Sequence, residues 1–393
     1  MIKSSTRKKP DPGNIPGLLV LSGSNDRAIY AICRVARRLK IEFYIIAAGP
    51  GDKIFQGRYK DRICYSRKNM VLDLENFTEW VMAARERSDS KDAEFVIVPS
   101  SEFLNLFLLN LERVGELESL GVRLPLVNAD LYARLSNKSS ATLWAESIGV
   151  YVPGRRARFS PKNLPLVAKP LMNIHQDGLL RYPQLICNRE DLDKFLMRDD
   201  CDSYFAQEMI RGNSWYLMGY LSRDGRAWLH AQRNIAQQPE GKSILLAWSD
   251  NFESSKTGQK IVLALRDIGF FGLFMIEFKG TMDRPVFIEM NPRPWGPLQL
   301  SIDADSGIVE AFLGESIYGD PARFVPTSVP ARRACYLWLG GFFSSWRMGK
   351  MIHWHNCAGI LRWFYILRAL PCEVYLRPDS WRVFWRELCG PGH

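Results

Sequence analysis

The chain has 393 residues, enough for two or three domains at roughly 150 residues each. Hydrophobic residues make up 47% and charged residues 24%, which excludes wholesale disorder and every low-complexity class and leaves material for a sizeable core. Lys and Arg exceed Asp and Glu by 52 to 42, a net charge of +10 that favours anionic partners such as nucleotides, phospholipid surfaces or nucleic acid.

Residues 1–14 are polar, with Lys3, Arg7, Lys8 and Lys9 and no apolar run behind them, and read as a flexible basic tail rather than a secretory signal. The next third alternates strands with helices. Leu18 to Leu21 is a short apolar run closed by Ser22-Gly23-Ser24-Asn25-Asp26, after which Ala28, Ile32, Val35, Ala36 and Leu39 recur at helical spacing. Phe43 to Ile46 and Phe95 to Pro99 are two further strands, the second followed by an apolar helix around Phe103 to Leu111. Strands separated by helices imply a parallel, doubly wound sheet. The loop after the first strand lacks GxGxxG, which counts against a dinucleotide site.

Asn137 to Gly149 reads as another helix, and from there the texture changes to strand pairs. Leu164 to Pro170 is a strand with Lys169 at its end, Tyr204 to Ile210 is another, and Trp215 to Leu221 pairs with Ala227 to Ala231 across Arg223-Asp224-Gly225. A helix is expected over Thr257 to Ile268. The eight cysteines are scattered without a CxxC pair, as expected of reduced thiols in a cytoplasmic protein. The longest uncharged apolar stretch, Ala334 to Trp346, is too short for a bilayer span of about 20 residues, so a soluble or peripheral protein is expected.

The segment Gly272 to Gln299 carries the most chemistry. Leu273 to Lys279 and Val286 to Asn291 are strand-like and joined by Gly280-Thr281-Met282-Asp283-Arg284-Pro285. Alternation puts Phe274, Ile276 and Phe278 on one face and Glu277 on the other, and on the partner strand Glu289 and Asn291 share a side. A hairpin would gather Glu277, Glu289 and Asn291 into one polar cluster. Adjacent carboxylates repel unless one is protonated or a cation sits between them, and these hard oxygen ligands suit Mg²⁺ shared with nucleotide phosphates. The alternative is an amphipathic hairpin with solvated acids. Arg293, two residues beyond Asn291, can grip a phosphate or carboxylate with its planar fork.

Met290-Asn291-Pro292-Arg293-Pro294-Trp295-Gly296, preceded by Ile276-Glu277-Phe278 and Ile288-Glu289, resembles the nucleotide-binding end of the ATP-grasp superfamily. The likeness is to the branch of carbamoyl-phosphate synthetase and the carboxylate–amine ligases. Upstream, Asn137-Lys138 before the helix exit Trp144 to Pro153 resembles that family's first lysine element. Lys169-Pro170 resembles its strand-end lysine on the α- and β-phosphates, and Gln207-Glu208-Met209-Ile210 its adenine-contacting hinge strand. The resemblance spans about 130 to 310. It implies an α/β chain, α+β in its ATP-grasp part: a doubly wound pre-ATP-grasp domain at 15–130, then an ATP-grasp domain at 131–325. That domain would have a small lobe at about 136–205 and a large lobe at about 206–325, followed by a Trp- and Arg-rich C-terminal subdomain at 331–393.

The resemblance further implies ATP and Mg²⁺ as cofactors, with Mn²⁺ able to replace Mg²⁺. Glu277, Glu289 and Asn291 would hold the metal, and Lys138, Lys169, Gln207, Glu208, Met209, Ile210 and Ser214 would bind ATP. The implied reaction activates a carboxylate, small-molecule or glycan-linked, as an acyl phosphate that an amine or ammonia attacks, releasing ADP and phosphate. Arg293 is the expected catalytic residue, and Arg233 a second candidate whose alternative is a surface arginine. Carboxylation or carbamoyl-phosphate chemistry on bicarbonate is the other enzymatic reading.

Two departures stand out. The loop after Lys169, Leu171 to Gly178, holds one glycine where the family has several, leaving Asn173, His175 and Gln176 as substitute donors. Gly212-Asn213-Ser214-Trp215 lacks the acid that relatives place there for the ribose. Both keep open an ATP-grasp adaptor without turnover. The C-terminal 331–393 holds six of the twelve tryptophans and nine Lys/Arg against three Asp/Glu. Its rings are expected to pack on the ATP-grasp body, with peripheral contact at the inner membrane face as the alternative. No recognised nucleic-acid motif accompanies the charge, so no nucleic-acid partner is expected.

Overall fold

Apolar runs with no polar alternation form strands buried on both faces, and the N-terminal part of the chain builds a parallel sheet from them. The computed structural model describes residues 15–88, 90–156, 159–171, 181–325, 332–357 and 359–390. The expected tail at 1–14 and the loop residues 172–178, with Asn173, His175 and Gln176, lie outside these. Strands β1 (Gly17–Leu21), β2 (Phe43–Ala47), β3 (Ile63–Ser66), β4 (Phe95–Pro99) and β5 (Val122–Arg123) are parallel in the order β3-β2-β1-β4-β5. Leu18 and Val20 point to the core shared with α1 (Asp26–Arg38). Leu19 and Leu21 point to the opposite core, formed with α2 (Leu74–Arg87) and α3 (Glu102–Arg113).

After a short α4 (Glu116–Ser119), helices α5 (Ala129–Ser136) and α6 (Lys138–Ser147) lead out of this unit. Asn137 starts α6 because its side-chain oxygen accepts the N–H groups of Ser139 and Ser140, each at 3.0 Å. A small antiparallel sheet follows: β6 (Arg155–Arg156), β7 (Leu166–Pro170), β8 (Gln184–Ile186) and β9 (Tyr204–Glu208), in the order β6-β9-β7-β8. Helix α7 (Arg189–Leu196) covers one of its faces, where Leu192 and Phe195 pack on Leu166, Ala168 and Ala206.

Four residues after β9 the chain enters the large sheet. Its strands β10 (Asn213–Leu221), β11 (Ala227–Gln237), β12 (Ile244–Asp250), β13 (Gly272–Gly280), β14 (Pro285–Asn291) and β15 (Cys335–Leu337) run β14-β13-β10-β11-β12-β15, with β16 (His353–Trp354) pairing β11. Gly212 makes the entry: its φ is +120°, and a Cβ there would lie 2.5 Å from the Gly280 carbonyl oxygen. Helix α8 (Lys256–Asp267) covers the face carrying Trp215, Phe274, Ile276 and Phe278. Helices α9 (Leu298–Asp303) and α10 (Ile308–Tyr318) lie on the other face, between the sheet and α1.

The segment from 332 onward supplies the β15 edge and helices α11 (Leu339–Arg347), α12 (Leu361–Ala369) and α13 (Trp381–Cys389). Tyr336, Val374, Tyr375, Val383 and Phe384 belong to the same apolar core as α1 and the large sheet. Arg34 of α1 ties to it by donating to both carboxylate oxygens of Asp379, at 2.8 and 2.9 Å. Not all of the rings pack down as expected: Trp346, Trp363, Trp381 and Trp385 remain exposed. Among the described residues no helix is long and apolar enough to cross a membrane.

Candidate functional site

The β13–β14 hairpin sets Glu277 directly opposite Glu289, with Asn291 opposite Met275 two positions along. Phe278 pairs with Phe287, so Ile288 is an extra residue bulged out of the ladder. Without that bulge Phe287 and Glu289, two positions apart, would share a face. With it, Phe287 enters the core beside Phe278 and Glu289 turns to the polar side with Glu277. The sequence pattern carries the cluster but not the bulge that builds it.

Three lysines face these acids. Lys138, in the first turn of α6, places its Nζ 3.8 Å from a Glu289 carboxylate oxygen. Lys169, at the end of β7, donates to the carbonyl freed by the bulge at Ile288, at 2.9 Å. Lys279 sits 3.3 Å from a Glu277 oxygen. Burial, reinforced by the positive charge of Lys138, pulls the Lys169 ammonium from its ordinary 10.5 down to about 8, against the pull of Glu289 and Glu277. Burial pushes the Glu289 carboxyl up, yet Lys138, Lys169, the Asn291 hydrogen bond and Arg293 together hold it below the ordinary carboxylate range.

A polar row on the large sheet backs the hairpin. Gln232 donates to Asn234 at 2.6 Å, Asn234 donates to the Ser214 hydroxyl at 2.9 Å, and Ser214 donates to Glu277 at 3.4 Å. All three are buried. Beyond the hairpin, Asn291 donates to Glu289 at 2.9 Å and accepts from the Arg293 guanidinium at 3.1 Å. Arg293 also donates to the Pro294 carbonyl, while its buried Nε has no hydrogen-bond partner among the described residues. The two carboxylates are hard oxygen donors that fit Mg²⁺, while the Asn291 amide presents its NH₂ to Glu289 and its oxygen to Arg293.

The expected site residues thus separate into three groups. Lys138, Lys169, Ser214, Glu277, Glu289, Asn291 and Arg293 are joined by the contacts above. Gln207 lies buried in β9 on the face of the small sheet that carries Lys169, with its amide nitrogen unpartnered. Glu208 ends that strand exposed, accepting from the Gly154 N–H at 3.3 Å, and Met209 and Ile210 form the half-buried link to β10. Arg233 is the correction. It pairs with Trp215, whereas Gln232 pairs with Tyr216 and Asn234 with Ser214, so strand alternation sends Arg233 to the opposite face of the sheet from Glu277.

Sequence reasoning missed Lys279, Gln232 and Asn234. The last two flank Arg233 in a run of three polar residues, and the register of β11 against β10 tells them from it.

No protein-family model matches the chain, and no curated protein matches it either. Its three-dimensional arrangement does have solved counterparts. The biotin carboxylase domain of Hydrogenobacter thermophilus 2-oxoglutarate carboxylase, solved with MgADP, ADP and bicarbonate, superposes with a TM-score of 0.58 at 14% identity over 81% of this chain and 73% of that one. The N5-carboxyaminoimidazole ribonucleotide synthetase of Thermus thermophilus gives 0.58 at 14% identity over 81% and 82%. A biotin carboxylase–β-γ-ATP complex from Campylobacter jejuni gives 0.57 at 15% identity over 80% and 72%. The fold is the ATP-grasp fold. In this chain the small sheet brings Lys169 to the Ile288 carbonyl, next to Glu289 on the hairpin of the large sheet.

Proposed function

We propose that the chain is an ADP-forming, Mg-ATP-dependent ligase that activates a carboxylate as an acyl phosphate and joins it to an amine or ammonia. The observation that carries this is the cross-strand pairing of Glu277 with Glu289, bracketed by Asn291, Lys138 and Lys169. Glu277 and Glu289, with Asn291 beside them, would hold a magnesium ion, whose charge would offset that of the phosphates. Lys138 and Lys169 offer ammonium groups to the phosphate oxygens, and Gln207 to Ile210 line the link where the adenine would lie. Arg293 offers its fork to the transferring phosphoryl group and then to the acyl phosphate. The carboxylate oxygen takes the terminal phosphoryl of ATP, ADP leaves, and the amine nitrogen attacks the acyl carbon as phosphate departs and the amine loses a proton.

Bicarbonate as the activated acid is the second reading, favoured by the neighbour solved with MgADP and bicarbonate. Bicarbonate-stimulated ADP release without an added amine separates the two. Retention of both acids and both lysines in contact favours turnover over a silent adaptor. A peripheral membrane contact through 331–393 rests on α12, where Leu361, Trp363, Phe364 and Leu367 are exposed beside exposed Arg362 and Arg368. The test of the ligase is calorimetric titration with ATP, with and without Mg²⁺, on the wild type and Glu289→Gln. Mg-dependent binding in the wild type alone is expected, to be followed by a screen of carboxylates and amines for ADP release. Equal binding by both proteins, with or without the metal, would sink the reading.

A further inference from the structure

The order of the parallel sheet reverses between β1 and β4, which are neighbours whose following helices lie on opposite faces. Crevices beyond the carboxyl ends of strands at such a reversal are where open α/β sheets take ligands. Here the crevice is bounded by Ser22 to Asn25 after β1, Ser100 and Ser101 after β4, and Arg67 directly after β3. Helices α1 and α3, of 13 and 12 residues, begin at it, and the side chains of their cap residues Asn25 and Ser101 make no capping bond.

The buried polar groups gathered here have little to bond. Among the described residues, the Ser22, Ser100 and Ser101 hydroxyls, the Asn25 amide oxygen and the Arg67 Nε and Nη1 have no hydrogen-bond partner, and each of these residues is at most 8% exposed. The Arg67 side chain donates one hydrogen bond, from Nη2 to the Ser22 carbonyl at 2.9 Å, and its guanidinium lies 5.7 Å from the centre of the Trp80 ring. The serine hydroxyls converge: a Cβ placed on Gly23 would lie 2.9 Å from the Ser101 oxygen and 3.0 Å from the Ser100 oxygen. Buried hydroxyls and guanidinium N–H groups are ordinarily satisfied, and for Arg67 the charge of Asp52 does not offset the cost of burial. A cluster that served only the fold would have bonded to itself. The set is rich in donors, since guanidinium, hydroxyls and two helix N-termini all favour negative charge. The one acid in the first turn of α1, Asp26, is turned to Lys53 at 3.2 Å.

The crevice also adjoins the hairpin site, because the Asn25 amide donates to the Pro294 carbonyl, next to Arg293, at 3.2 Å. We propose that it holds a second, non-reacting anionic group of the substrate, a carboxylate or a phosphate, gripped by Arg67 with Ser22, Ser100 and Ser101. The substrate is then a dicarboxylate or a phosphorylated acid, anchored at the parallel sheet so that its other carboxylate lies toward Arg293. This rests on the ligase reading for the reaction, though not for the anion site itself.

The test is titration of the full chain with inorganic phosphate and, separately, with succinate, at constant ionic strength. Wild type, Arg67→Gln, the Ser100→Ala/Ser101→Ala pair and Lys169→Met are compared, with urea midpoints as the check on folding. At least one anion binds the wild type, Arg67→Gln weakens it by about tenfold or more, and the serine pair by several-fold, in line with lost charge-assisted and neutral hydrogen bonds. Preference for succinate marks a dicarboxylate substrate and preference for phosphate a phosphorylated one. Binding of neither anion, unchanged affinity in both crevice variants, or loss only in Lys169→Met would overturn the proposal. A parallel titration with Mg-ATP reads the hairpin separately: its failure would remove the ligase reading while leaving an Arg67-dependent anion site in place.

Discussion

Lys169 links stability to function in a way that can be measured on the empty protein. Its fall from 10.5 to about 8 corresponds to ~3 kcal/mol of unfavourable surroundings for the charged form. Below about pH 8 the ammonium is charged in both folded and unfolded chains, so this cost is fully present at pH 7. Between about 8 and 10.5 the unfolded chain holds the proton and the folded chain does not, so stability rises with pH across that window. Lys169→Met removes the charge with little change of volume, but it forfeits the bond to the Ile288 carbonyl, about 1 kcal/mol. The variant should therefore be more stable than the wild type at pH 7, by about 1–2 kcal/mol, and lose that advantage as pH approaches 10. Urea denaturation across pH 7–10 measures it. A bound triphosphate favours the charged amine, so wild-type ATP affinity should fall as pH rises through about 8, by up to about tenfold per unit. A variant less stable at pH 7, together with ATP affinity flat from pH 7 to 9.5, would refute the argument.

Other outcomes follow from the same geometry. Arg293→Ala should abolish ADP release, whereas Arg233→Ala, on the far face of the sheet, should keep it within about twofold; equal losses in the two would contradict the strand register. Glu289→Gln removes one of the paired carboxylates and should erase the Mg²⁺ dependence of ATP binding, read by calorimetry. Gly212→Ala forces a Cβ to within 2.5 Å of the Gly280 oxygen at a φ of +120° and should cost on the order of 1–3 kcal/mol in urea denaturation. If 331–393 touches membranes, the full chain will float with anionic vesicles, and Trp363→Ser with Leu367→Ser will reduce flotation without moving the urea midpoint, since both side chains are exposed.

The hairpin was legible because a strand has only two faces: with Phe274, Ile276 and Phe278 assigned to the core, Glu277 had one place to go. The bulge at Ile288 was not, because bulges depend on the register of the partner strand rather than on composition. Arg233 was misplaced for a related reason. Gln232, Arg233 and Asn234 are consecutive polar residues, which blurs the alternation, and only the pairing of β11 with β10 shows which of them faces Glu277. Strands β3 and β5 escaped notice because the first is only half-buried and the second is two residues long, so neither leaves an apolar run.

The crevice at Ser22, Arg67 and Ser100 lay further out of reach, and its invisibility follows from how parallel sheets are made. Each parallel strand returns to its neighbour only after a crossover, so groups that meet at one end of the sheet are separated by dozens of residues in the chain. Ser22 and Arg67 touch across 45 residues, and no short pattern can encode such a meeting. The hairpin brings its ligands together locally, and a motif can therefore record it. A short motif accordingly carries the hairpin groups proposed for the nucleotide, whereas the groups proposed for the substrate meet only at the strand ends. For this chain those ends gather the unpartnered Arg67 guanidinium and serine hydroxyls near Arg293, which the proposed anionic group of a substrate would complete.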